Sequence, residues 1–598
     1  MDRDNQTRFF ISILAIMLVI LFGRMWQLQI IEYSVYNKMS KENTTRTIPS
    51  LAPRGIIYDR FGRLLVANRA IFSVYLFPSS FEEGKTDDVI RDVSRLTGVP
   101  RGKILDKINE KRSRPFEPIL VKDDLSIKTV TAIEERKHNM PGVVINARPV
   151  RYYPHKKLAA HLLGYVGEIT KNELNLLREK GYNLKDIIGK EGVENTYDTY
   201  LRGIDGGEDV EIDVSGRPVR SVGATDPVPG SDMKLTVDIE LQELIEQNLE
   251  GLRGAMVVMD PRNGEILAMA SRPSYDPAIF AAPLEKWQWD AMDKAGHPFL
   301  NRALSTYPPG STFKVVNLSA TLQEGTHSLK DLIECKGRFF LGNRVAECWK
   351  KSGHGKLDIL EGLVQSCDIV FYQLGLDNGP ALLSKYAKDY GLGEKTGIDL
   401  PGELPGLVPT VDWKRSVYKD VWVKGDSINY GIGQGYLIVT PLQMANVYAT
   451  IATSKRYTPH VVNEVISRDG KKIFKYETKE IGSIPISKEN AELLRETMRQ
   501  VVKRGTGIAA EVEGIPAAGK TGTAENPGLA HAWFMCYAPY TSPEVVVVSF
   551  VEHGEHGDRV TAHIANRILR WYKDNRLNKE LELSMEKDKK VNSQLKKI

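Results

Sequence analysis

From Phe9 to Gly23 the chain carries no charged residue, and after Arg24 it continues mostly apolar from Met25 to Ile31. Roughly 20 helical residues, rising about 1.5 Å each, cross the hydrocarbon layer, and an arginine near one end can snorkel to the headgroups. A cleaved signal peptide would present small residues after its apolar run, whereas bulky Met25, Trp26, Leu28 and Ile30 follow here. The segment 9–30 therefore reads as a retained transmembrane anchor behind a short tail, 1–8. In that tail Arg3 and Arg8 are offset by Asp2 and Asp4, so flanking charge does not set the orientation.

Beyond the anchor the pattern breaks into shorter periods. Leu51 to Asn68 places Gly55 and Gly62 around brief apolar stretches, which predicts strands and turns. Charged helical patterns and glycine turns such as Gly203 to Gly207 continue to about Asp232 without a catalytic cluster, so 51–232 reads as a β-containing, non-catalytic pedestal. A second module, 234–573, begins with the amphipathic stretch Leu241 to Leu252. Two strands follow, Ala255 to Asp260 and Glu265 to Ser271, around Pro261-Arg262-Asn263-Gly264, a hairpin signal. Further strands are predicted at Ala518 to Glu525, Ala532 to Ala538 and Glu544 to Val551, and an amphipathic helix from about Val560 to Tyr572. The expected class is α/β (α+β) and multidomain, with a sheet flanked by helices. Residues 574–598 are charged and poor in aromatics, the pattern of a solvated tail.

At 598 residues the chain exceeds what one core supports, which agrees with several parts. Its 81 lysines and arginines nearly balance 76 acids, so no broad basic field points to nucleic acid.

Three short elements carry chemistry. In Tyr307-Pro308-Pro309-Gly310-Ser311-Thr312-Phe313-Lys314 a serine follows a helix-start signal, and a lysine three residues on shares its helical face. Such a lysine takes the serine proton when neutral, a form that burial near another cation favours. Ser366-Cys367-Asp368 comes second, and Lys520-Thr521-Gly522-Thr523 lies on a predicted strand. A serine-lysine pair, then serine-x-acid, then lysine-threonine-glycine is the set found in penicillin-recognising enzymes.

With these motifs the chain resembles the class B penicillin-binding proteins, most closely their elongation-specific group. Arg54-Gly55 with Asp59-Arg60-Phe61-Gly62, and Gly192-Val193-Glu194 with Tyr197-Asp198 and Leu201-Arg202-Gly203, look like that family's pedestal motifs. Gly431-Ile432-Gly433-Gln434-Gly435 followed by Thr440-Pro441-Leu442-Gln443 matches downstream. Asp368 departs from the asparagine common in the wider superfamily.

The resemblance implies a transpeptidase fold with a five-stranded antiparallel sheet, and a D,D-transpeptidase that cross-links peptidoglycan stem peptides during elongation. Ser311 would attack the penultimate D-alanine, terminal D-alanine would leave, and an amine from a neighbouring stem would resolve the acyl-enzyme. Lys314 is the implied base. Ser366 and Lys520 would relay the proton and hold the substrate carboxylate, beside Thr521, Gly522 and Thr523. The N–H groups of Ser311 and Thr523 would form the oxyanion hole. Asp368 either orients Lys314 or braces its loop. β-Lactams would acylate Ser311. The alternatives are a D,D-carboxypeptidase or β-lactamase that passes the acyl group to water, and a non-catalytic scaffold or β-lactam sensor. The long pedestal disfavours the hydrolase, and the intact motifs and single span disfavour the scaffold or sensor.

Between Cys335 and Cys367 the sequence reads Cys-x12-Cys-x5-His-x12-Cys through Cys348 and His354. Three thiolates and an imidazole suit tetrahedral zinc, while an oxidising compartment would favour disulfides. The resemblance implies a structural Zn2+ at these four positions. Cys536, in an apolar run, reads as a core thiol. Further implied are a polytopic SEDS-family glycosyltransferase and other elongation-complex proteins as partners, and a single-pass location in the cytoplasmic (inner) membrane with the catalytic domain on the extracytoplasmic side.

Overall fold

The chain divides into two units by its internal contacts. The first comprises Met1–Arg54, Asn68–Val150 and Arg202–Gly230; the second comprises Gly55–Ala67, Arg151–Leu201 and Ser231–Ile598. The computed structural model describes residues 3–579 except 35, 37–44, 82–83, 111–117, 213–217, 282–283, 285 and 295. Most of the expected C-terminal tail, 580–598, and Met1 and Asp2 of the N-terminal tail thus lie outside the described residues.

In the first unit the helix Arg3–Trp26 continues the apolar stretch Phe9–Ile31, whose mean hydropathy of 2.3 and length suit a membrane span, with none of it buried in the protein. That helix fits a single-pass anchor. Strand Thr45–Ser50 pairs antiparallel with Gly206–Ile212, which pairs with Pro218–Thr225. Elsewhere in the unit a small core forms where Val89, Ile90 and Val93 of helix Thr86–Thr97 meet Ile119 and Val121 of strand Ile119–Lys122.

The second unit is built on five antiparallel strands: β1 Gly254–Met259, β2 Ile266–Arg272, β3 Ala518–Ala524, β4 His531–Ala538 and β5 Val545–Val551, in the order β2-β1-β5-β4-β3. This is the sheet that the resemblance implied. Helices cover both faces, which explains why β5 reads as the unbroken run VVVVSFV with no polar alternation. Its Val546, Val548 and Phe550 enter one core, and Val545, Val547 and Val551 enter the other. The second core is closed by α1 (Ile239–Asn248) and α6 (Thr561–Tyr572). The first is closed by α2 (Lys314–Glu324), α3 (Ile359–Val364), α4 (Asp368–Asp389) and most of the apolar face of α5 (Lys488–Arg504). Cys536 lies fully buried in the second core, where burial pushes its thiol pKa up. The β1–β2 connection runs through the expected Pro261-Arg262-Asn263-Gly264. Gly264, at φ +83°, donates its N–H to Asp260 O, and the register shifts beside Met259.

The pedestal-type motifs in this unit serve as structural ties. Glu194, fully buried, accepts from Arg151 Nε at 2.5 Å, and Arg151 Nη1 donates to Gly55 O at 2.6 Å. Gly55 must be glycine, because a Cβ there would sit 1.8 Å from Ser231 O. Asp59 accepts from Arg63 Nε, and Tyr197 donates its hydroxyl to Asp399. Past α6 the helix runs on through Lys573–Leu577, where Arg576 pairs with Asp238 and lies 4.9 Å over the Phe61 ring. Its first residues are thus held by charge and aromatic contact.

Candidate active site

Prolines Pro308 and Pro309 lead into a tight turn, Gly310–Phe313, from which α2 starts at Lys314. Thr312 Oγ1 donates to Pro309 O, and Phe313 stacks on Tyr430 at 5.5 Å. The turn presses against β3, the edge strand of the sheet. A Cβ on Gly310 (φ +55°) would lie 2.5 Å from Thr523 O, and one on Gly522 would lie 2.7 Å from Thr312 Cγ2. Gly433 closes the other side: Gly310 N–H donates to its carbonyl, and a Cβ there would meet Gly310 O at 2.1 Å. Gly310 and Gly433 are thus required by close backbone approach, and Gly522 by the Thr312 methyl. They place Ser311, half-buried, beside β3.

The second element sits at the end of α3. Ser366 N–H donates to Leu363 O and Cys367 N–H to Gly362 O, the pattern that usually puts glycine at the left-handed position. Here that position is Ser366, at φ +53°. Holding a side chain there costs about 1–2 kcal/mol, so the fold keeps a strained serine where its hydroxyl is needed. The turn splits its neighbours. Ser366 Oγ receives Lys520 Nζ at 2.7 Å, while Cys367, the N-cap of α4, sits with the other cysteines.

Lys314 and Lys520 are both fully buried. Lys314 Nζ donates to Ser366 O at 2.9 Å and to Asp368 Oδ1 at 2.8 Å, with Ser366 Oγ at 3.5 Å. Lys520 Nζ also reaches Thr521 O at 3.0 Å. Two buried amines and one half-buried carboxylate share this site. Burial first, and then the charge of Lys314, hold the Lys520 pKa well below the usual lysine range. Asp368 takes both alternatives left open for it, since its Oδ2 accepts the N–H of Trp349 at 2.9 Å while Oδ1 holds Lys314. Of the expected substrate-side residues, Thr521 and Gly522 are buried and Thr523 is half-buried.

Two contributors escaped the motif search. Thr506 Oγ1 lies 2.8 Å from Thr521 Oγ1, and Trp349 supplies the N–H that Asp368 accepts. The glycines flanking Thr506 were the available signal: a Cβ on Gly505 would meet Val364 O at 2.4 Å.

Behind the Ser366 turn, Cys335 ends strand Ile333–Cys335, Cys348 follows strand Arg344–Glu347, and His354 and Cys367 complete the group. One donor atom from each lies within 4.8 Å of all the others. His354 Nδ1 stands 3.5 Å from Cys335 Sγ and 3.6 Å from Cys348 Sγ. A tetrahedral zinc with bonds of about 2.0–2.3 Å sets its ligands roughly 3.3–3.8 Å apart, so this donor set fits the ion. All four cysteines of the chain are free thiols. A hydrogen bond from Cys367 pulls the Cys348 thiol down toward the thiolate form that a metal takes.

Comparison with known proteins follows the same lines. Residues 254–570 match the family described as the penicillin binding protein transpeptidase domain, and residues 49–235 match the penicillin-binding protein dimerisation domain. Peptidoglycan D,D-transpeptidase MrdA of Acinetobacter baumannii is 34% identical over 573 residues, covering 92% of this chain and 84% of the relative. Among solved structures, PBP2 from Helicobacter pylori in complex with MreC is 28% identical with a TM-score of 0.77, covering 89% of this chain and 99% of that one. A chain from a peptidoglycan synthase complex that coordinates polymerization and crosslinking is 30% identical with a TM-score of 0.70, covering 95% and 98%. With the three motif elements converging at the sheet edge and these matches spanning nearly its whole length, the chain belongs to the penicillin-binding protein family of peptidoglycan D,D-transpeptidases.

Proposed function

We propose that Ser311 is the acylated nucleophile with which this chain cross-links peptidoglycan stem peptides. The chain is a peptidoglycan D,D-transpeptidase of cell elongation, and the observation behind the residue roles is the Lys314–Ser366–Lys520 chain of buried contacts. As Ser311 Oγ attacks the penultimate D-alanine carbonyl, Lys314 takes its proton and releases one through Ser366 Oγ to Lys520 in its unprotonated form, which burial favours. The expected base, Lys314, is then the first carrier, and Lys520 is the sink. Run backwards, the relay protonates the leaving D-alanine amine. Backbone N–H groups of Ser311 and Thr523 stabilise the oxyanion, and Thr521 with Thr523 holds the substrate carboxylate. β-Lactams present a strained amide to the same atoms and stay attached.

Cys335, Cys348, His354 and Cys367 would hold a zinc ion, and four protein ligands leave no open position, so its contribution is structural. It would fix the loop carrying Trp349 and Cys367 on either side of Asp368. The catalytic unit works on the outer side of the membrane, where its substrate lies. Its partners are a polytopic SEDS-family glycosyltransferase and other elongation-complex proteins, a reading supported by the complexes in which the two structural relatives were solved.

Fluorescent penicillin applied to membranes, with intact-mass analysis of the purified chain, tests the nucleophile. Label should be lost completely in Ser311→Ala; label persisting there would move the nucleophile elsewhere.

A further inference from the structure

An open aromatic shelf adjoins the nucleophile turn, and the mechanism above does not use it. Helix Val411–Tyr418 and the segment after it expose Val417, Tyr418 and Val421, with Trp413, Trp422 and Tyr436 half-buried beside them. The Trp413–Tyr418, Trp413–Tyr436 and Tyr418–Tyr436 centroids lie 5.6, 5.3 and 5.1 Å apart, and no pair is stacked, so the rings stay splayed rather than closed face to face. A contiguous group of large apolar side chains left open in this way marks a binding surface. The shelf is held from beneath. Lys414, almost fully buried, donates to Asp426 Oδ2 at 2.7 Å and to Val421 O at 2.8 Å and pairs with Asp420 at 3.1 Å, while Thr410 Oγ1 caps the helix at the Trp413 N–H. Its rings are therefore ordered on folding, which lowers the entropy lost on binding. It is also continuous with the reacting centre. Phe313 of the serine turn stacks on Tyr430, Trp422 lies 6.1 Å from Tyr430, and Tyr436 lies 6.5 Å from Trp422. Along the backbone Tyr436 is three residues, at most about 10 Å, from Gly433, whose carbonyl takes the Gly310 N–H.

Charge narrows the occupant. From Val411 to Asp426, Lys414, Arg415, Lys419 and Lys424 stand against Asp412, Asp420 and Asp426, so the shelf has no strong field to draw an anionic lipid surface. It suits an uncharged ligand that has one apolar face and a polar edge. The substrate polymer supplies such a ligand, because the stem peptides hang from a chain of amino sugars whose carboxyl groups are consumed in the amide bonds to the stems. One face of each sugar ring is made of C–H bonds, weakly positive, and these pack on the negative face of an aromatic ring. Each extended residue spans at most about 3.5 Å, so a stem of a few residues sets its sugar roughly 10–15 Å from the carbonyl that Ser311 attacks. That reach includes the shelf. We propose that Trp413, Tyr418 and Tyr436 form a binding site for the glycan strand of peptidoglycan, holding its sugar rings by stacking while a stem of that strand occupies the cleft. The inference rests on the cross-linking reading for the identity of the polymer. It adds a second point of attachment, away from the peptide, by which the chain distinguishes a stem carried on a strand from the same peptide free in solution.

The test measures, by fluorescence anisotropy, the affinity of the purified full-length chain for end-labelled glycan strands from which an amidase has removed the stems. Wild type should bind them saturably. Tyr418→Ala should weaken binding about fivefold, the effect of losing one aromatic contact, while Tyr418→Phe keeps it. Raising the salt concentration should change the affinity by less than about twofold, because the ligand is uncharged. Penicillin labelling of Ser311 reports that each variant is folded, and Val421→Asn reads the same loss if the alanine variant takes no label. The inference is overturned by a wild type that does not bind the stripped strands, by an unchanged affinity in a labelled Tyr418→Ala, or by an equal loss in Tyr418→Phe. Binding that salt abolishes would likewise overturn it, in favour of an anionic partner. A wild type that binds the strands but takes no penicillin would instead strike at the acyl-enzyme reading and leave the glycan site standing.

Discussion

The two sides of the Ser366–Asp368 turn are built on opposite principles. On the catalytic side, Lys314, Ser366 and Lys520 come from segments up to 206 residues apart, from Lys314 to Lys520, and bury two amines against one carboxylate. On the other side, three thiols and an imidazole come from one 33-residue stretch, Cys335 to Cys367. Burying charge is expensive unless it is paired and hydrogen-bonded. The catalytic side is therefore electrostatically uneasy by construction, and that unease lowers the Lys520 pKa. Asp368 joins the two, with one oxygen on Lys314 and the other on the N–H next to Cys348.

Breaking the shared residue should have the largest effect. Asp368→Ala leaves Lys314 and the Trp349 N–H without their acceptor, and penicillin acylation of Ser311 should slow by roughly 10²-fold; a rate within twofold of wild type would show that the two sides are independent. Removing the thiol side alone should cost stability before chemistry. Cys348→Ser, or extraction with a strong chelator, should lower Tm by at least about 5 °C, with metal analysis recording the loss of one zinc per chain. An unchanged Tm would confine the thiols to simple packing.

The catalytic side should also show itself in pH dependence. With the Lys520 pKa depressed in the folded state, the unfolded chain binds more protons between that value and the ordinary 10.5. Stability contributed by this group therefore rises with pH across that window and falls as pH drops through it, by up to about 1.4 kcal/mol per unit. Urea midpoints at pH 7 and 9 should diverge less in Lys520→Met than in wild type. The smallest effect concerns strain. Ser366→Gly and Ser366→Ala both lack the hydroxyl, but the glycine variant should be the more stable by about 1 kcal/mol, because alanine keeps a Cβ at φ +53°. Equal stability would mean that the turn relaxes.

Much of this could be read in advance, and the misses share a cause. The strands around β3 to β5 announced themselves through length and apolar content, and Ser311, Lys314, Ser366 and Lys520 through motif order. The thiol set was legible as a list of donors, since its members lie close along the chain. Thr506 was not, because its meaning depends on Thr521, 15 residues away on another element. Trp349 contributes a backbone N–H, which no side-chain pattern can reveal. The β1–β2 connection was legible as Pro261-Arg262-Asn263-Gly264, whereas the Asp260 bonds that shape it depend on folded geometry.

By itself the sequence located the apolar N-terminal span, individual strands and the zinc-type donor residues through local periodicity and short spacings, while motif order and the family resemblance it carries implied the five-stranded sheet and the three catalytic elements. Tertiary structure alone decided that the Lys520 pKa is lowered, that Asp368 serves both sides of its turn, and that Ser366 is held in a left-handed conformation. Each of these depends on burial and on charges or backbone groups brought together from distant positions, and neither is encoded in any single stretch of chain.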